Sequence, residues 1–140
     1  MTLQMNATAL TEFLKTAFPQ VSDDFRIERV GLDAVVVRLQ VAERHLRPGG
    51  TVSGPSMFAL ADVALYLAIL SRLGAVALAV TTNSSIDFMR KPAAGKDLLG
   101  EARLLKLGRS LAVGDVMIRS EGQADPVARA SLTYSIPPER

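Results

Sequence analysis

From about Gly54 to Arg72 the chain presents apolar residues at every angular position of a helix. Between Arg47 and Arg72 the only Asp, Glu, Lys, Arg or His is Asp62. A helix that is apolar all round has no face for water, so the rest of the chain must enclose it. Pro55 suits its first turn, where the missing N–H would have had no intrahelical partner, and Gly74 suits its exit. A helix over about 54–72 has roughly 18 residues and runs about 27 Å at 1.5 Å per residue.

The flanking segments supply the enclosure. Leu10, Phe13, Leu14, Ala17 and Phe18 recur at helical spacing, which predicts an amphipathic helix over about 7–18, capped by Asn6 or Thr8 and ended by Pro19. From Phe25 the period changes to two. Phe25 and Ile27 alternate with Arg26 and Glu28, and after a turn near Gly31 to Asp33, Val35, Val37, Leu39 and Val41 alternate with Val36, Arg38 and Gln40. Beyond the long helix come four strand-like runs, about Val76 to Met89, Asp97 to Leu107, Leu111 to Ser120 and Val127 to Ile136. The last places Ala128, Ala130, Leu132, Tyr134 and Ile136 on one face. Three short connections between these runs predict an antiparallel meander. Two strands, one buried helix and four more strands define an α+β architecture, an antiparallel sheet curled around the central helix, in one domain spanning residues 1–140.

Composition removes several classes of function. The chain has no cysteine, which excludes disulfides, thiolate metal sites and cysteine nucleophiles. A net charge of +2 is too small for a whole-surface nucleic-acid binder. Locally the balance differs: Arg90, Lys91, Lys96, Arg103, Lys106 and Arg109 face only Asp97 and Glu101, a stretch suited to an anionic ligand. No charge precedes Glu12 and no apolar signal core follows the start, so the expected compartment is the cytoplasm. The longest uncharged runs, Pro48 to Ala61 and Leu73 to Ile86, have 14 residues each, and no membrane association is expected.

Asp62 is the residue that asks for an explanation. A carboxylate inside an apolar helix is costly unless donors surround it. It serves either as a structural group bonded to a neighbouring segment or as a catalytic one. Other chemistries find less support. Gly54-Pro55-Ser56-Met57-Phe58 approaches a nucleophile elbow but has Phe58 in place of the final glycine and lacks the strand-turn-helix setting. His45, the sole histidine, lies in the charged stretch Glu43-Arg44-His45, which predicts a solvated strand end. One histidine without cysteine makes no zinc site, and no glycine-rich phosphate loop precedes Gly95-Lys96.

The stretch from Arg47 to Asp62, Arg-Pro-Gly-Gly-Thr-Val-Ser-Gly-Pro-Ser-Met-Phe-Ala-Leu-Ala-Asp, resembles the signature of hotdog-fold acyl-CoA thioesterases of the phenylacetic-acid-degradation type. That signature reads roughly N-P-x-G-x-x-H-G-G-x-x-F-x-L-A-D. Ser85 to Ala93, Leu107-Gly108-Arg109-Ser110 and Ala128 to Tyr134 are similar to the family's later runs, so the likeness extends from about Phe25 to Ile136. It implies a hotdog fold, pairing of two sheets into a homodimer, and active sites at the interface. Asp62 then corresponds to the catalytic carboxylate, as general base or nucleophile, and Gly54 to the glycine whose N–H polarises the thioester carbonyl. The substrate implied is an acyl-CoA, hydrolysed to free acid and CoA, with no metal and no cofactor.

Three positions depart from the signature: Arg47 replaces asparagine, Ser53 replaces histidine and Pro55 replaces the second glycine. These three, with Asn83, Arg90, Lys91 and Arg109, are the candidate substrate-binding residues. The departures keep a second reading open, a non-catalytic hotdog protein that binds acyl-CoA or another acyl ligand; a hotdog dehydratase is a third. Apolar positions on both faces of Val76 to Met89 point to a homodimer at minimum, with a dimer of dimers, a homotetramer, left open.

Overall fold

A computed structural model describes residues 2–138. Helix α1 spans Ala7–Ala17 and is followed by strands β1 (Phe25–Val30) and β2 (Val35–Leu39), then a 3-10 turn at Glu43–His45. The long helix α2 occupies Gly54–Leu73, and strands β3 (Val80–Phe88), β4 (Leu98–Leu107), β5 (Leu111–Ser120) and β6 (Pro126–Ser135) complete the chain. The elements follow the order expected, and α2 ends one residue later than its pattern indicated.

The caps explain the helix limits. Of the two candidate caps for α1 it is Asn6 that acts, its side chain accepting from Ala9 N at 2.9 Å. Ser53 caps α2, accepting from Ser56 N at 3.3 Å. At the other end Gly74 takes φ +90°, a left-handed conformation that favours glycine, while its N–H still reaches Leu70 O at 2.8 Å.

All six strands form one antiparallel sheet in the order β1-β2-β4-β5-β6-β3. This corrects the four-stranded meander: of the strands after α2 only β4, β5 and β6 are consecutive neighbours, and β3 lies beyond β6 at the sheet edge. The connection from β3 to β4 crosses the ends of β6 and β5. Met89 N and Arg90 N donate to Val127 O on the way, Ala93 N donates to Ser120 Oγ, and Glu121 N donates to Asp97 O at the far side. Its length permits this, because two strands add only about 10 Å of crossing. The strand expected over Val76 to Met89 is also shorter. Its first residues turn instead, with Ala79 N donating to Val76 O, and the ordered strand begins at Val80.

The concave sheet face holds α2. Ala102, Ala112, Ala128 and Ala130 are small and buried, so the helix lies close to the strands. Two glycines deepen the contact into notches. A Cβ on Gly100 would stand 3.2 Å from Leu60 Cγ, and one on Gly114 would press into Leu65 and stand 2.6 Å from Arg103 O. Leu60 and Leu65 of α2 are fully buried there. By length and mean hydropathy, 1.6, α2 matches a membrane-spanning helix, yet its sides are covered by this sheet and by α1. Burial of apolar side chains at about 25 cal/mol per Å2 drives that wrapping.

Candidate active site

Asp62 lies midway along α2 and is half-buried. Thr81, the second residue of β3, donates its hydroxyl to Asp62 Oδ1 at 2.5 Å. Tyr134 of β6 brings its hydroxyl to 2.7 Å from the same Oδ1 and 2.8 Å from the Asp62 carbonyl oxygen. Both side-chain donors thus converge on one carboxylate oxygen, and none among the described residues reaches Oδ2. Burial, and then the charge of Asp62, push the Tyr134 hydroxyl above the usual phenol range, so it remains a proton donor.

The carboxylate borders a cavity of about 390 Å3 between the end of α1, α2 and the start of β3. Phe18, Val63, Tyr66, Ala79 and Tyr134 give it an apolar and aromatic side, with Gln20, Thr81 and Asp62 as polar points. The Tyr66 and Tyr134 rings stack at 6.2 Å, and Tyr66 donates to Ala77 O at 2.9 Å, which fixes the loop entering β3. A water or acyl carbonyl in this cavity meets a half-buried carboxylate held by two hydroxyls.

Gly54 opens α2, half-buried, with the Phe88 ring against it: a Cβ there would lie 3.3 Å from Phe88 Cζ. The start of α2 therefore faces β3 near its end, whereas Asp62 faces β3 near its beginning. Eight residues of helix separate the two by about 12 Å, so one chain does not bring them to a single carbon atom. Ser53 donates to Ser56 Oγ at 3.0 Å as well as capping Ser56 N. Both contacts belong to the helix start. Ser53→Ala is accordingly expected to lower stability by about 1 kcal/mol while leaving turnover intact, as thermal unfolding and kinetics together will register. A tenfold loss of turnover at unchanged stability would assign the hydroxyl to the reaction instead.

The remaining candidates scatter. Pro55 and Arg47 are exposed, and Arg47 lines a cavity of about 660 Å3 with Glu43, Pro48 and Lys96. Asn83 is exposed on β3 just past a bulge, opposite Thr133. Arg90 follows β3 and donates to Pro126 O at the start of β6, with exposed Lys91 beside it in sequence. Arg109 occupies the β4–β5 hairpin, where Ile136 N meets Ser110 O just past the end of β6. Arg90 and Arg109 therefore sit at opposite ends of one strand, about 30 Å apart at 3.3 Å per residue. The basic stretch of the sequence is no single cluster within the chain; Arg103 pairs with Glu101, while Asp97, one of its two acids, accepts from Arg38 and Val41 N.

His45 is not at a solvated strand end. It is buried in the 3-10 turn, where Nδ1 accepts from Ala42 N at 2.9 Å and its carbonyl accepts from Ser53 N at 2.8 Å. The turn closes because its backbone holds the residue that caps α2, and that closure carries the imidazole inward.

Thr81 and Tyr134 are the site residues that motif reading passed over. Tyr134 carried a signal, since it belongs to the inward face of an alternating strand and a buried phenol needs a polar partner. Thr81 carried none.

A long helix wrapped by an antiparallel sheet, with its lone acid facing a cavity, is the hotdog fold, and this chain belongs to the thioesterase superfamily, whose family model matches residues 49–127. A candidate thioesterase from Silicibacter sp. TM1040 is 59% identical in sequence, with a TM-score of 0.92 over 99% of this chain and 96% of that one. A mutant of the phenylacetic acid degradation protein PaaI from Thermus thermophilus is 28% identical, with a TM-score of 0.72 over 85% of this chain and 99% of that one. A Streptococcus mutans protein bound to acetyl-CoA is 27% identical, with a TM-score of 0.70 over 83% and 90%. No curated protein matches the sequence.

Proposed function

We propose that the protein hydrolyses acyl-CoA thioesters, with Asp62 as general base. The observation that carries this reading is the Asp62 carboxylate itself, bonded through one oxygen and bordering a cavity of about 390 Å3, large enough for an acyl group. Asp62 takes a proton from water, the hydroxide adds to the thioester carbon, and the carbonyl oxygen becomes an oxyanion. As the C–S bond breaks, the carbonyl reforms and the CoA sulfur receives the proton from Asp62, leaving a free acid and CoA thiol. Gly54 N–H, at the positive end of α2, stabilises the oxyanion. Similarity to a protein bound to acetyl-CoA supports the substrate class.

We assign Gly54 and Asp62, about 12 Å apart along one helix, to different sites of a homodimer, each site taking Gly54 from one chain and Asp62 from the other. The sheet supports such pairing: β3 is an edge strand with Val80 and Phe88 more than half exposed, at 57% and 51%. Release of CoA thiol from acetyl, medium-chain, long-chain and aromatic acyl-CoAs tests the reaction directly. Turnover of at least one class supports hydrolysis; tight acyl-CoA binding without thiol release would instead assign a binding protein, the reading that Arg47, Ser53 and Pro55 keep open.

The CoA phosphates are assigned to exposed cations. Arg109→Ala or Arg90→Ala is expected to raise KM about three- to tenfold and to flatten its dependence on salt, with kcat little changed. Because the two arginines lie at opposite ends of β6 in one chain, the effects identify which end receives the nucleotide. Unchanged kinetics in both variants would remove these residues from the substrate site.

A further inference from the structure

We infer that Tyr134 is a positioning residue for Asp62: its hydroxyl, bonded to Oδ1 and to the Asp62 carbonyl oxygen, fixes the carboxylate so that Oδ2 is the oxygen presented to water. This inference rests on the assignment of Asp62 as general base and adds to it a residue outside the signature stretch.

The geometry favours a positioning role over simple core filling. A phenol that contacts both the side chain and the main chain of one residue restrains the torsions between them. Thr81 joins at Oδ1, so the oxygen turned toward β3 and β6 has two donors while Oδ2 keeps its lone pairs for a proton. Tyr134 is itself restrained. It is 3% exposed, stacked on Tyr66, and Tyr66 is anchored by its own hydroxyl to Ala77 O. The raised phenol range noted above keeps Tyr134 protonated while the enzyme works, so the donor is constant. A carboxylate free to rotate would expose either oxygen, at varying distance from the water it must deprotonate. Small errors of that kind cost as much as about a hundredfold in rate.

Tyr134→Phe removes one oxygen and keeps the ring. The expected result is a fall in kcat of about ten- to a hundredfold with KM within about twofold of wild type and an unchanged oligomeric state. Core filling alone predicts a lower melting temperature with full turnover in the folded enzyme. Wild-type kcat in Tyr134→Phe, together with an inactive Asp62→Asn, would overturn the inference and leave the general base in place. An active Asp62→Asn would overturn both.

A second measurement does not depend on the Phe variant folding. Tyr66 and Tyr134 are the only tyrosines, so fluorotyrosine labelling of the full chain gives two fluorine resonances, with Tyr66→Phe identifying the one from Tyr134. Asp62→Ala is expected to shift the Tyr134 resonance well beyond that of Tyr66. An unmoved Tyr134 resonance would show that its hydroxyl is not engaged with Asp62 and would overturn the inference.

Discussion

Asp62→Asn is expected to abolish at least about 99% of thiol release while the protein folds as before. The amide nearly matches the carboxylate in size and its carbonyl oxygen can still accept from Thr81 and Tyr134, so the side chain has a reason to stay in place. What it lacks is a basic oxygen. General-base catalysis contributes about 100- to 10,000-fold, and among the described residues no other acid or histidine lines the cavity to replace it. Initial rates on the best acyl-CoA substrate, with thermal unfolding as control, measure the effect. Turnover near the wild-type level would show that Asp62 is the structural acid its apolar setting also permits.

The second large effect is a recovery. Gly54→Pro removes the N–H assigned to the oxyanion and should be inactive on its own. Its ring also presses toward Phe88, so Gly54→Ala, which meets Phe88 but retains the N–H, separates crowding from loss of the donor. Mixed dimers of Gly54→Pro with Asp62→Asn contain one site with both wild-type groups and one with neither. They are expected to regain about half of wild-type thiol release per dimer, far above either homodimer. Purified and verified mixed dimers that stay inactive would remove the shared-site geometry without touching the role of Asp62.

The central helix and its wrapping were legible because they follow from a single constraint. An apolar run with one charge must be enclosed, and Ala128 to Ile136 alternates with little ambiguity, so the buried helix and closing strand came out close to their observed limits. The position of β3 was not legible. Local turn chemistry gives the length of a connection and says little about which edge the next strand joins, and the residues from Met89 to Asp97 are enough to cross two strands. His45 was misplaced for a related reason: its charged neighbours in sequence suggested solvent, while in space the backbone of its own turn, the cap of α2 and the Asp24 carboxylate enclose it. The site divided in the same way. Asp62 stood out by contrast with its surroundings and Gly54 by resemblance, whereas Thr81 and Tyr134 reach Asp62 from 19 and 72 residues away.

The notches at Gly100 and Gly114 index the central helix lengthwise. Leu60 and Leu65 drop into them on either side of Asp62, so α2 is registered against the sheet much as a key is by its wards. A methyl group at Gly114 would collide with the Arg103 carbonyl and with Leu65, and one at Gly100 would crowd Leu60, so both press on the side chains that seat the helix. Any shift of α2 that relieves this crowding carries the carboxylate with it, while Thr81 and Tyr134 stay with their strands. Two residues that bear no functional group therefore set how far the acid reaches, and variation at them can tune or silence the chemistry with every reacting residue still present.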